Sequence, residues 1–437
     1  MKNNEQYSAK LRSPEQLIAM INSKDVVLTT GNPRTLLEAL FEAKERLDGL
    51  KLYSVLGVMR GQGGGGDIDL AETASHIHIT SVILSQHEER AWSNGGINQT
   101  PVHLSVAEEY IQKTCQPTVL LVHCPPPDEE GYFYMSIDDG GASAAMDRGV
   151  RVFIQVNKNI PLIYSDTRIH ISRVNAISEA TEPIFIENVK KNQITKEDTA
   201  IADYVAERIP DGSTIQFGPG FLPNLTGKHL ENHKDLGIHT DCLSWAHIEL
   251  IKNGVVNNSR KEIMPGVSVG SYFDVLEDDF SFLHKNSSIM IKKLSWVCNP
   301  AIISQIGNMM SINEGLAVDF RAQVCSSSLG LNFTGSTSSI HDFVRGTKRS
   351  QGGKAFIVMR STMKGENGER KSCILPALPE GSLVSVPRSD IHYVVTEYGV
   401  ADLRNKSVRE RVQALIGLAH PDFREWLTSE AVGHGFA

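Results

Sequence analysis

The segment 234–244 reads KDLGIHTDCLS and holds the side chain best placed to do chemistry, Asp241. It follows a short apolar stretch, residues 236–240, that predicts a strand. A carboxylate at the exit of a strand stands where α/β enzymes keep their reacting groups. Such a group can attack an electrophilic carbon or take a proton from water. Upstream, Gly218-Pro219-Gly220-Phe221-Leu222-Pro223 follows a second strand, residues 214–217, and opens a helix. Glycines there let backbone N–H groups approach a ligand oxygen, and a helix N-terminus favours negative charge. Gly218 and Gly220 therefore read as candidate donors, against the alternative of a ligand-free turn.

Other motifs carry less. The four glycines 63–66 suit a phosphate nest or a surface loop, and no Lys-Ser/Thr follows them as in a P-loop, which favours the loop. Residues 266–270 fit GxSxG, but Pro265 precedes them and Val267 and Val269 alternate through Ser268 as in a strand, not an elbow. His76 and His78 offer two metal ligands without a third, so no metal site is expected.

The 437 residues suit two or three domains, with ordinary apolar (41%) and charged (22%) shares for a globular protein. The net charge of −8, without a basic stripe, argues against nucleic acid and anionic membranes as partners. No apolar run reaches membrane-spanning length, and the N-terminal residues lack a secretory core. Six scattered cysteines without a CxxC pair fit reduced thiols in a cytoplasm. A homo-oligomer stays open.

The elements that would position Asp241 occur twice. Ser13-Pro14-Glu15-Gln16 starts a helix, followed by a strand 26–30, the Gly31-Asn32-Pro33 turn, a helix 35–46 and a strand 50–55. Thr195-Lys196-Glu197-Asp198 starts the same order again: helix to 209, strand 214–217, the Gly218 turn, helix 225–233 and the strand before Asp241. Gly31 and Gly218 hold the same place, 187 residues apart. Alternating strands and helices predict two similar, open, doubly wound α/β domains with parallel sheets, 1–190 and 191–437, facing each other across a cleft. The boundary is expected in the polar stretch 181–195. Near the C-terminus, residues 383–386 and 392–396 read as strands, and Ser407-Val408-Arg409-Glu410 as a capping box opening a helix to Ala419.

The segment IHYVVTEYGVADLRNKSVRERVQALIGLAHPDFREWL, from Ile391, resembles the C-terminal signature of the acetyl-CoA hydrolase/transferase family, within the family I CoA-transferases and nearest the 4-hydroxybutyrate CoA-transferase branch. PPPDEEGY (125–132), QVNKNIP (155–161), IPDGSTIQFGPGFLP (209–223), HKDLGIHTDCLS and DFVRG (342–346) agree, so the resemblance spans essentially the whole chain. It implies the CoA-transferase fold and an enzyme moving coenzyme A between small carboxylic acids, as in acetate metabolism, with a CoA thioester as substrate and no tightly bound cofactor. In that branch a glutamate in an HTEM-type sequence attacks the thioester, forming an anhydride and then a glutamyl-CoA thioester. The matching position here is Asp241, in His239-Thr240-Asp241-Cys242.

Departures cluster at that site. Asp241 replaces glutamate, Ser336-Thr337-Ser338-Ser339 replaces a GTGG loop, Ser327 and Ala317 stand where acids are expected, and Thr29-Thr30-Gly31 replaces a strand exit that usually carries a histidine. Aspartate withdraws its oxygens by roughly 1.2–1.5 Å at fixed backbone. The space would admit a water, giving acyl-CoA hydrolysis with Asp241 as base; an advanced strand or a bulkier acyl group would preserve transfer through an aspartyl anhydride and thioester. A CoA-binding protein without turnover is the third reading. Ser336, Ser338 and Ser339 would line the pantetheine or acyl side. Trp245 would narrow the acyl pocket, or belong to the core.

Overall fold

A computed structural model describes residues 2–59, 69–93, 95–184, 193–333, 339–365 and 367–436. The chain divides into two compact units, one of Met1–Asn188 with Val269–Val297, the other of Val189–Ser268 with Cys298–Ala437. The expected division at 190 placed 269–297 in the second half. Those residues return to the first unit, a long-range exchange that no composition change marks.

The first unit is built on seven parallel strands: β1 (Val26–Thr30), β2 (Lys51–Ser54), β3 (His78–Ser81), β4 (Asn98–Gln99), β5 (Val119–Cys124), β6 (Arg151–Asn157) and β7 (Ala176–Ala180), in the order β7-β6-β5-β1-β2-β3-β4. All six residues of β5 are buried, as a central parallel strand covered on both faces requires. Helices α1 (Pro14–Ile18) and α2 (Arg34–Glu42) flank β1 in sequence.

The second unit carries β8 (Thr214–Phe217), β9 (Gly237–Ile238), β10 (Met309–Glu314), β11 (Lys354–Val358), β12 (Tyr393–Thr396) and β13 (Gly399–Asp402), ordered β9-β8-β10-β11-β12-β13. The first five pair in parallel, and the β12–β13 hairpin closes the edge antiparallel. Its helices include α3 (Lys196–Ala206), α4 (Phe221–Lys228), α5 (Trp245–Lys252), α6 (Ile340–Arg349) and α7 (Val408–Leu418). Capping boxes at Ser13, Thr195 and Ser407 start α1, α3 and α7, as their sequences indicate.

The two sheets share one winding order. In the first, the chain runs outward from β1 through β2 and then crosses back to β5; in the second it runs from β8 to β9 and crosses back to β10. The glycines mark the same crossing. A Cβ on Gly31, where φ is +72°, would lie 3.0 Å from the His123 carbonyl oxygen on β5. A Cβ on Gly218 would lie 2.3 Å from Asn313 Oδ1 on β10. Each glycine lets its turn press against the neighbouring strand at the point where the winding reverses, the place such sheets reserve for ligands.

Some elements differ from expectation. Residues 383–386 form no strand; Val386 alone bridges to Val324. The strand before Asp241 shortens to Gly237–Ile238, and the helix expected at 225–233 starts at Phe221 and ends at Lys228. Ser268 lies in the strand Ser268–Gly270, buried and accepting a hydrogen bond from Asn258, so it forms no nucleophile elbow. No cluster of three or more potential metal ligands, and no helix long and apolar enough to cross a membrane, occurs among the described residues. All six cysteines are buried, and none forms a disulfide among the described residues.

Candidate functional site

Asp241 follows β9, at the carboxyl ends of the second unit's strands, and has no exposed surface. Ser339 Oγ donates a 2.6 Å hydrogen bond to Asp241 Oδ2. Burial raises the Asp241 carboxyl above the usual range, while Ser339, the backbone N–H groups of Asp241 and Cys242, and the Gln216 amide pull it back down. The carboxylate thus sits among neutral hydrogen-bond donors.

Those donors extend across the sheet. Gln216 on β8 and Asn313 on β10 exchange a reciprocal pair of amide hydrogen bonds, each 3.2 Å, and Asn313 Nδ2 also donates to Ser311 Oγ at 2.9 Å. All three are buried. A neutral chain Ser311–Asn313–Gln216 therefore reaches Asp241 from the point where the winding reverses. Next along β10, Glu314 accepts from the Leu222 N–H at 3.4 Å and from Phe221, capping α4; burial raises its carboxyl. Gly220, at φ +140°, lies over it, and a Cβ there would fall 2.4 Å from Glu314 Oε2. The helix N-terminus expected to receive a ligand anion is held by a carboxylate of the chain itself.

The expected donors separate accordingly. The Gly218 N–H is spent on the Ile312 carbonyl at 2.8 Å, a sheet bond, so Gly218 contributes as a small residue and not as a donor. Gly220 is exposed at the turn. Ser339 is buried against the Asp241 carboxylate. Ser336 and Ser338, like the glycines 63–66, lie outside the described residues. Trp245 opens α5, half-buried, with Lys228 Nζ 5.2 Å from its ring centre; its indole N–H is buried and meets no acceptor among the described residues. A cavity of about 370 Å³ farther along the sheet edge is lined by Arg360, Lys364, Glu397 and Tyr398 among others, and by none of the expected site residues.

The strand that delivers Asp241 is clamped from outside. β9 is an edge strand of two residues, and its outward backbone groups belong to Ile238. Asn258 Oδ1 accepts the Ile238 N–H at 2.9 Å, and Lys261 Nζ donates to the Ile238 carbonyl at 2.7 Å and the Val267 carbonyl at 2.6 Å. Two side chains replace the missing neighbour strand. Gly237 makes room: a Cβ would lie 2.7 Å from the Lys261 stem. Burial pushes the lysine down to about 7, and a neutral amine has two N–H groups for two carbonyls. In the unfolded chain the lysine titrates near 10.4. Between about 7 and that value the unfolded state binds more protons, so this group makes stability rise with pH across the window and leaves its full penalty below it. Lys261→Met is expected to flatten that rise, read as thermal midpoints from pH 6.5 to 9.5; an unchanged slope would show that the lysine is not the source.

With this geometry in hand, the likeness to known proteins is specific. The sequence matches the acetyl-CoA hydrolase/transferase N-terminal domain over residues 1–187 and the corresponding C-terminal domain over residues 277–431. The chain belongs to the acetyl-CoA hydrolase/transferase family. Within this family it is 33% identical to 4-hydroxybutyrate coenzyme A transferase of Clostridium kluyveri over 430 residues, 97% of each chain. It is 34% identical to succinyl-CoA:cyclohexane-1-carboxylate CoA transferase of Geobacter metallireducens over 430 residues, 98% of this chain and 96% of that one. The crystal structure of RipA from Yersinia pestis superposes with a TM-score of 0.92 at 30% identity, covering all of both chains.

Sequence reasoning missed Gln216, Ser311, Asn313 and Glu314. They lie far from Asp241 in sequence, and only the pairing of β8 with β10, Gln216 against Ser311 and Phe217 against Ile312, brings them together. The available signal was polar residues interrupting two apolar strands, in TIQF and MMSINE.

Proposed function

We propose that this protein is an acyl-CoA:carboxylate CoA-transferase for small carboxylic acids, with Asp241 as the group that carries first the acyl unit and then coenzyme A. The observation that supports it most is the buried carboxylate at the exit of β9, held by the Ser339 hydroxyl, the Gln216 amide and backbone N–H groups. The full-length likeness to named CoA-transferases points to the same chemistry.

In this reading Asp241 attacks the thioester carbonyl and the C–S bond breaks, leaving an acyl-aspartyl anhydride and a thiolate. The thiolate attacks the aspartyl carbonyl, releasing the first acid and leaving an aspartyl-CoA thioester. The second acid repeats the steps in reverse. Covalent exchange divides one difficult transfer into easier ones. Amide donors such as Gln216 and Asn313 would steady the developing oxyanions. Because Asp241 has no exposed surface, each turnover must part its contact with Ser339.

Free acetate added to a longer acyl-CoA should yield acetyl-CoA; a broad panel of acyl donors giving none would overturn the transfer reading. The pH profile offers a second check. Reaction needs the ionised carboxylate, and burial raises its carboxyl, so the acid limb of kcat should lie above the ordinary aspartate range. Ser339→Ala removes a hydrogen bond that favours ionisation, so the limb should move to higher pH. A shift to lower pH would contradict the assignment of that limb to Asp241.

A further inference from the structure

The contact between Ser339 and Asp241 is also a hydroxyl–carboxylate dyad. Its 2.6 Å separation lies within the range in which a general base activates a nucleophile. Both side chains are buried, Ser339 at 1% exposure and Asp241 at none. Ser339 stands at the N-cap of α6, a helix of ten residues, and its hydroxyl caps no backbone group of that helix. The hydroxyl is thus free of the usual role of a serine at such a position and is committed to the carboxylate. It also stands one hydrogen bond beyond a carboxylate that is a methylene shorter than glutamate.

We propose that Ser339 is a second nucleophile, activated by Asp241, and that it gives this protein an acyl-CoA thioester hydrolase activity in the absence of an acceptor acid. Ser339 Oγ forms a bond to the thioester carbon while its proton passes to Asp241. The C–S bond breaks, and the leaving thiolate takes that proton, giving free CoA and an acyl-serine ester. Water then attacks the ester, its proton passes to Asp241, and the ester C–O bond breaks. The serine oxygen recovers the proton, so the sum is acyl-CoA and water to carboxylic acid and CoA. With the hydrogen bond kept, chemistry runs through Ser339; with it parted, Asp241 itself attacks. The inference rests on the acyl-CoA reading above but not on Asp241 forming an anhydride.

The test is acid-quenched peptide mass spectrometry of the wild-type protein mixed with an acyl-CoA and no carboxylate, alongside the rate of CoA release. The acyl group should appear on Ser339, and CoA release should fall by about 10²-fold or more in Ser339→Ala, the scale of a lost reacting group. A wild-type-like thermal melt shows that Ser339→Ala is folded, and acetyl-CoA formation by the wild type with acetate, measured alongside, separates failure here from failure of the transfer reading. Acceptor-free CoA release at the wild-type rate in Ser339→Ala, or a wild-type adduct confined to Asp241, would overturn the dyad.

Discussion

Asp241→Asn should lower CoA transfer to acetate by at least about 10³-fold, because the amide can neither form the anhydride nor serve as a base. The substitution nearly preserves shape, which makes it a sharper probe than truncation. It does place an NH₂ group among donors from Ser339, Gln216 and two backbone N–H groups, and one of those pairs must become donor against donor. Such a mismatch costs about 1–3 kcal/mol. Thermal melts should therefore show a folded protein of somewhat lower stability, and steady-state rates the far larger loss. An Asp241→Asn protein that retained a tenth of wild-type transfer would remove Asp241 from the chemistry. If it failed to fold, Asp241→Ser, which removes the carboxyl while keeping a small polar side chain, would give the same reading.

Gly218→Ala should be the most damaging single methyl in the second unit's turn. The added carbon would stand 2.3 Å from Asn313 Oδ1 and 3.1 Å from Asn313 Cγ. A flexible side chain could retreat, but Asn313 is held by Gln216 on one side and Ser311 on the other. Either that network breaks or the turn lifts from β10. Overpacking of this kind costs typically about 1–3 kcal/mol. The functional loss should be larger in relative terms, since a displacement of about 1 Å beside the reacting group can cost on the order of 10²-fold. Gly417→Ala is the matched control. It lies exposed within α7, a Cβ there would meet nothing within 4 Å, and alanine should stabilise the helix by about 0.5–1 kcal/mol. Equal melting points and rates for the two variants would refute the account of the Gly218 turn.

The residues that sequence made legible are those whose roles are local. Ser13, Thr195 and Ser407 announce helix starts because a cap and its partner three residues on form one short unit. Gly31 and Gly218 announce two similar turns because each follows an apolar strand, and the common winding of the two sheets agrees with that repeat. Asp241 stood out because it ends such a strand. What stayed hidden depends on register and long-range packing. Gln216 and Asn313 are 97 residues apart, and nothing near either one predicts the pairing. The burial of Lys261 follows from its stem crossing Gly237, which lies 24 residues earlier. Residues 383–386, LVSV, look like a strand because they are mostly apolar and rich in valine, yet they find only the single bridge at Val386. The return of Val269–Val297 to the first unit has no sequence signature at all.

The departures that the sequence resemblance implies gain a physical shape from one contact. A shorter acid alone would leave a gap, and a serine in place of a glycine would only stiffen a loop. Together, Asp241 and Ser339 form a buried, hydrogen-bonded pair, so the two changes are expected to be coupled. Asp241→Glu alone would press a longer carboxylate against the Ser339 hydroxyl, and adding Ser339→Gly would relieve it. The double variant should transfer CoA faster than Asp241→Glu alone, with a coupling of about 0.5–3 kcal/mol in a double-mutant cycle.

Borohydride reduction of the protein mixed with an acyl-CoA and acetate tests the covalent role of Asp241 most directly, because it converts an aspartyl-CoA thioester to a primary alcohol at that residue alone. Peptide mapping should find position 241 reduced in the wild type and unmodified when the acyl-CoA is omitted. Acetyl-CoA formation with position 241 left as intact aspartate would contradict the account.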